Sequence, residues 1–178
     1  MTKPTRLFRY LLALISLFSG FCLAASDNYK LGAGDKIQIH VYGEPELSFS
    51  ELLLNSNGMI DYPYLGQLSA LHKTTQQLKQ EITLGLKGDY LIEPKVMVSI
   101  LAYRKIFING EVQHPGGYEY QPGLTIDKAI TLAGGFTDRA SKSNITITNN
   151  ASGLKSTKAS LSKQVLPGDI ITIEESFF

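Results

Sequence analysis

A turn followed by an alternating strand occurs twice in this chain, and nothing else in the sequence constrains the fold as much. "LGAGDKIQIHV" spans residues 31–41 and "VLPGDIITIEE" spans residues 165–175. Each reads Gly-Asp, one residue, then apolar residues at alternate positions. In the first, Ile37, Ile39 and Val41 point one way and Gln38, His40 and Tyr42 the other, the period-two signature of a half-buried strand. Glycine supplies the backbone angle a tight turn needs, and an aspartate beside it bonds nearby amides. The echo therefore reads as shared turn chemistry at the start of two strands, with no need for a duplicated binding site.

The N-terminal stretch is set apart from that core. Lys3, Arg6 and Arg9 precede the apolar run "YLLALISLF", and the small residues of "SGFCLAAS" follow. This is the pattern of a secretory signal peptide over residues 1–24, with cleavage after Ala24 expected and Ala25 or Ser26 as alternatives. An uncleaved anchor is the competing reading, but Ser16, Ser19 and Gly20 interrupt a run already short for a span of about 20 residues. Cys22, the single cysteine, is a candidate lipidation site, although Phe21 stands where that processing wants a small residue. Either way no disulfide is expected in the mature chain, so burial and pairing must hold it together. Taking Lys3, Arg6 and Arg9 from the 17 basic residues leaves 14 against 16 acidic ones. Without a basic surplus, nucleic acid is not an expected partner.

Pro45 ends the first strand. "ELLLNSNGMIDYPYLGQL" predicts a hairpin turning at Asn57-Gly58, since Gly58 suits a two-residue turn with positive φ. Thr74 and Gln77 have capping-box spacing, and Leu78, Ile82 and Leu86 follow at steps of four, so a helix is expected there. "KVMVSILAY" has few polar residues and predicts a strand covered on both faces. The second half repeats the style. "KIFING" is a strand, and Pro115, Gly116 and Gly117 turn it into a partner. Thr125 caps a short helix that buries Ile126, Ala129 and Ile130, and Gly134 and Gly135 stop it. "NITITNN" and "DIITIEE" complete the set. Helices that follow hairpins, without strict alternation, indicate an α+β fold of two small sheet-plus-helix domains. The boundary falls near Tyr103-Arg104, with no Gly/Ser/Pro-rich linker. Units of about 75 residues are marginal alone and are expected to pack on each other or on further copies.

No catalytic set emerges, so no enzyme activity, cofactor or metal is expected. His40, His72 and His114 lack metal-binding spacing. Glu174 and Glu175 alternate across a strand and cannot flank one glycosidic bond. Gly34, Gly110, Gly116, Gly134 and Gly168 are read as turn or cap residues, with Asp35 and Asp169 bonding nearby amides. Tyr62, Tyr64, Tyr118 and Tyr120 lie in two hairpins, and each pair is expected to share one face. A ring with an apolar face and a polar tip suits sugar or subunit contact, and equally an ordinary strand.

Several stretches in order resemble one family. "YKLGAGDKIQIHVYGEPELS", "GMIDYPYLGQLSA", "TTQQLKQEI" and "YLIEPKVMVSI" resemble the polysaccharide export domain of bacterial capsule and exopolysaccharide exporters. "IFINGEVQHPGGYEYQPGLTIDKAITLAGGFTDRAS" and "VLPGDIITIEESFF" resemble the soluble-ligand-binding β-grasp (SLBB) domain that follows it. The resemblance implies an export domain over 27–103 and a β-grasp domain over 104–176. It also implies a non-enzymatic, periplasmic and outer-membrane-associated part of a polysaccharide secretion machine. Larger members form rings and carry a second β-grasp copy and a membrane-crossing helix. The sequence stops after the last strand, so the expectation here is a periplasmic homo-oligomeric ring, collar or adaptor. Its partners would be the polysaccharide, a separate outer-membrane barrel and an inner-membrane polymerase or co-polymerase. Two other readings remain beside it: a monomeric saccharide-binding adaptor and a glycan-trimming enzyme.

Overall fold

The computed structural model describes residues 29–149, 155–156 and 158–176; the signal-peptide stretch and Cys22 lie outside them. The architecture is α+β, as the element order predicts, and its apolar residues fall into two separate clusters.

The first cluster is built by a three-stranded antiparallel sheet, a hairpin and a helix. Strand β1 (Lys36–Val41) is central, between β2 (Phe49–Leu53) and β5 (Val96–Ala102). The alternation expected for β1 is present: Ile37, Ile39 and Val41 are buried. Strands β3 (Met59–Tyr62) and β4 (Gly66–Ser69) form a hairpin of their own. Helix α1 (Thr75–Leu86) starts at a complete capping box, in which Thr74 Oγ1 accepts from Gln77 N and Gln77 Oε1 accepts from Thr74 N. It lies against β5 and buries Leu78, Ile82 and Leu86 fully. Each such burial contributes about 1.5–3 kcal/mol.

Two expectations fail here. Asn57-Gly58 does not join β2 to β3 as a hairpin. Gly58 has φ 60°, but its amide donates to Asn55 O and Asn55 Oδ1 and turns the chain away from β2. β2 pairs with β1, and β3 pairs with β4 across residues 63–65. Strand β5 is not covered on both faces either. It is an edge strand with α1 on one side, so Val96 is buried while Met97 and Leu101 on the other face are exposed.

The second cluster is a five-stranded mixed sheet under one helix. Its order is β7-β6-β10-β8-β9, with β6 (Ile106–Gly110), β7 (Gly116–Tyr118), β8 (Ala140–Asn149), β9 (Lys155–Ser156) and β10 (Asp169–Glu175). Strand β10 runs parallel to β6 and antiparallel to β8. Helix α2 (Ile126–Leu132) places Ile126, Ala129 and Ile130 against Ile106, Ile108, Ile145, Ile147, Ile171 and Ile173. Thr125 stands at the N-cap, yet its hydroxyl bonds the Asp127 carboxylate in place of a backbone amide. Gly110 must be glycine: φ is 85°, and a Cβ would lie 1.9 Å from Ile173 O on the parallel neighbour.

Candidate functional site

The two Gly-Asp turns are closed by the same pair of bonds. Asp35 N donates to Gly32 O at 3.1 Å, and Gly32 N donates back to Asp35 Oδ2 at 2.7 Å. Asp169 N donates to Leu166 O at 3.1 Å, and Leu166 N donates back to Asp169 Oδ2 at 2.8 Å. Gly34 and Gly168 occupy the equivalent position with φ of 92° and 86°. This is the third residue of a type II turn, where a side chain would be strained. Asp35 is fully buried and Asp169 nearly so.

Arg104, on the segment between the two sheets, lies across both turns. Its backbone amide donates to Asp35 Oδ1 at 2.8 Å, and its Nη1 reaches Asp35 Oδ2 at 3.3 Å. Its Nε donates to Pro167 O in the second turn at 3.0 Å. The fit is close: a Cβ on Gly32 would fall 1.9 Å from Arg104 Nη1, and one on Gly168 would fall 2.6 Å from Nε. Tyr29 completes the group. Its hydroxyl donates to Asp35 Oδ2 at 2.6 Å and accepts from Arg104 Nη1 at 2.9 Å. Burial, then the Asp35 carboxylate, raise the Tyr29 phenol well above its ordinary range. An isolated carboxylate as deep as Asp35 would cost several kcal/mol, and Arg104 is what offsets it. Asp169 accepts instead from two uncharged donors, Leu166 N and Asn149 Nδ2. Burial pushes its carboxyl up, and those bonds, with the charges of Lys163 and Arg104, pull it back.

Beside this staple lies a cleft of ≈ 470 Å³, lined by Tyr29 and Lys30 ahead of β1, by Tyr103 and Arg104 between β5 and β6, and by residues of the second half. Its wall is a chain of rings. Tyr29 meets Tyr103 edge to face at 4.9 Å, and Tyr103 meets Tyr120 edge to face at 5.2 Å. Lys30, Arg104 and Asn149 supply the polar part of the lining.

The four tyrosines singled out from the sequence are not one site. Tyr62 is 2% exposed, with its hydroxyl donating to Leu47 O at 2.7 Å and its pKa pushed up to about 12 by burial. Tyr64 is 62% exposed at φ 65° and stacks on Tyr90 with ring centres 4.8 Å apart. Their expected common face is lost because the strand ends at Tyr62 and the turn takes Tyr64 out of alternation. Tyr118 and Tyr120 do share a face, both packing on the second cluster, but Tyr118 bonds His114 O while Tyr120 reaches the cleft. Gly134 and Gly135, with positive φ, end α2. Gly116 does not have a positive φ: it is a residue of β7, which begins directly after the exposed Pro115. Arg104, Tyr29 and Tyr103 were not singled out from the sequence. Two buried aspartates need donors, and a lone arginine at the boundary between two Gly-Asp turns was the available signal.

Among the described residues, no three His, Cys, Asp or Glu side chains converge as a metal site. What the site can do is fix the angle between two sheets and offer an aromatic, cationic recess. Residues 23–101 match the family described as polysaccharide biosynthesis/export protein, and residues 105–158 match the SLBB domain. The two matches stand in order on one chain, and the chain belongs to the polysaccharide biosynthesis/export family. Among its relatives is an exopolysaccharide production protein, ExoF, of Rhizobium meliloti, 34% identical over 66% of this chain and 30% of its own length. Another is the EPS I polysaccharide export outer membrane protein EpsA of Ralstonia nicotianae, 27% identical over 88% of this chain and 50% of its own length. The chain thus spans half or less of the curated relatives it matches.

Proposed function

We propose that this protein is a non-enzymatic component of a bacterial exopolysaccharide export machine. In this reading, residues 27–103 act as the export domain and residues 104–176 as the β-grasp domain. The protein works in the periplasm in association with the outer membrane. Copies assemble into a ring or collar around the passing glycan, beside an outer-membrane barrel and an inner-membrane polymerase. The observation that carries the reading is the pair of family matches standing in order on one chain. The staple at Arg104 supports it, because a wall element needs its two domains held at one angle.

The test is to delete the gene and weigh the secreted polysaccharide. Loss of secretion, restored by the wild-type gene, is expected; undiminished secretion overturns the reading. The ring is tested separately by measuring mass in membrane extracts and in solution. A monomer at every concentration removes the ring and leaves a saccharide-binding adaptor as the alternative. Exposed sheet edges such as β2 and β5 are where copies would join.

A further inference from the structure

The face of the first sheet turned away from its buried cluster holds a recess of its own. Ile37, Ile39 and Val41 of β1 point into the cluster, so Gln38 and His40 point the other way, with Tyr42 just beyond the strand. The recess opens where β2 departs from β1. Ile37 pairs with Leu52 and Ile39 with Phe49, so Ser50 and Glu51 together face the single residue Gln38. Such a bulge bends a strand and re-aims its side chains. Past it, Ser48 closes the sheet: its Oγ accepts from Val41 N at 2.9 Å and donates to Glu44 O at 3.0 Å. The space left is ≈ 330 Å³, at the lower end of the about 300–1,000 Å³ typical of small-molecule sites.

Gln38, His40, Glu44 and Ser50 supply polar groups to the lining, and no lysine or arginine is among the described residues that line it. Among the described residues, the side chains of Gln38, His40 and Ser50 make no hydrogen bond, and Glu44 makes no ion pair. An amide, a neutral imidazole and a hydroxyl each donate and accept, and a carboxylate accepts. Adjacent sugar hydroxyls, which also do both, are their complement. Tyr42 is 58% exposed and meets the His40 ring edge to face at 4.5 Å, so it offers an apolar ring surface beside these groups. Charge then decides which sugar fits. The Glu44 carboxylate opposes an anionic unit and leaves an uncharged one unopposed.

We infer that this recess is a binding subsite for an uncharged sugar unit, with Gln38, His40, Glu44 and Ser50 bonding its hydroxyls and Tyr42 packing on its ring. The inference rests on the export reading and assigns this face of the first sheet to the passing glycan.

The experiment titrates the purified full chain with two uncharged trisaccharides, maltotriose and cellotriose, and with the anionic trigalacturonate. Amide chemical shifts at Gln38, His40 and Ser50 are the local probe, and tyrosine emission is the second readout, since the chain has no tryptophan. At least one uncharged sugar should bind saturably and shift these amides, and trigalacturonate should bind more weakly at low salt. Gln38→Ala and His40→Ala, on the open face of the sheet, should each weaken the uncharged sugar about fivefold, the loss of one hydrogen bond. Glu44→Gln keeps an acceptor and should remove the discrimination against trigalacturonate. Tyr64→Ala, in the other hairpin, should change nothing. Failure of both uncharged sugars to bind overturns the proposal, as does binding that survives both Gln38→Ala and His40→Ala, or tighter binding of trigalacturonate. Shifts at these amides that follow protein concentration without sugar make the face a contact between copies and overturn it too. If secretion is lost on gene deletion but neither uncharged sugar binds, the export function stands and this subsite falls.

Discussion

The turn at Gly34-Asp35 and the turn at Gly168-Asp169 have one backbone geometry and two chemistries. Both close with an aspartate that accepts the amide three residues before it. Asp35 then takes Arg104 and Tyr29, and is tied to a cation. Asp169 takes Asn149 from the neighbouring strand and stays within its own sheet. The turn is thus a local product of Gly-Asp, whereas its use is decided by what packs on it. The first turn presents an anion to the junction; the second presents the Pro167 carbonyl.

The largest test of that difference is removal of each carboxylate. Asp35→Ala strands Arg104 and Tyr29 and should cost about 3–5 kcal/mol in urea unfolding. Asp169→Ala loses bonds to uncharged donors and should cost about 1–3 kcal/mol. Equal losses would break the comparison. A smaller effect is expected at alkaline pH. The folded pKa of Tyr29 lies above its ordinary 10.0, so its contribution is complete below pH 10. As pH rises from there towards the folded pKa, the unfolded chain releases a proton the native chain keeps, and stability falls. Tyr62, at about 12, acts in the same direction. Tyr29→Phe should make that alkaline fall shallower in unfolding measured stepwise above pH 9, at the cost of about 1 kcal/mol at neutral pH; an unchanged slope would remove Tyr29 from the staple. The smallest effect concerns the second residue of each turn, Ala33 in one and Pro167 in the other. A type II turn favours proline there, so Ala33→Pro should stabilise by about 0.4–1 kcal/mol in thermal unfolding. A loss would show that the two turns are less alike than their bonds suggest.

Elements whose signals are local were legible in the sequence. The alternation of β1, the capping box of α1 and the buried triplet of α2 each depend on residues within a few positions, and each is present. Pairing is not local, and there the sequence misled. Asn57-Gly58 is a turn, but nothing near it says that β2 will pair backwards onto β1. The apolar run of β5 has the composition of a covered strand, and only its position at a sheet edge leaves Met97 and Leu101 outside. The junction was the least legible part. Tyr29 and Arg104 are 75 residues apart, and Arg104 and Pro167 are 63 apart. No periodicity joins such positions; only the need of a buried carboxylate for a donor does.

The central place of β10 has a consequence in time. This strand enters between β6 and β8, whose residues are made long before it. Until Asp169–Glu175 has left the ribosome, the earlier strands face a vacant slot in the middle of their sheet, and Arg104, already bonded to Asp35 and Tyr29, gains its bond to the second half only once Pro167 is in place. The second half therefore finishes all at once, with Asp169–Glu175 acting as its keystone. A polypeptide cut before Pro167 would lose the centre of its sheet and, with it, the clasp between its halves.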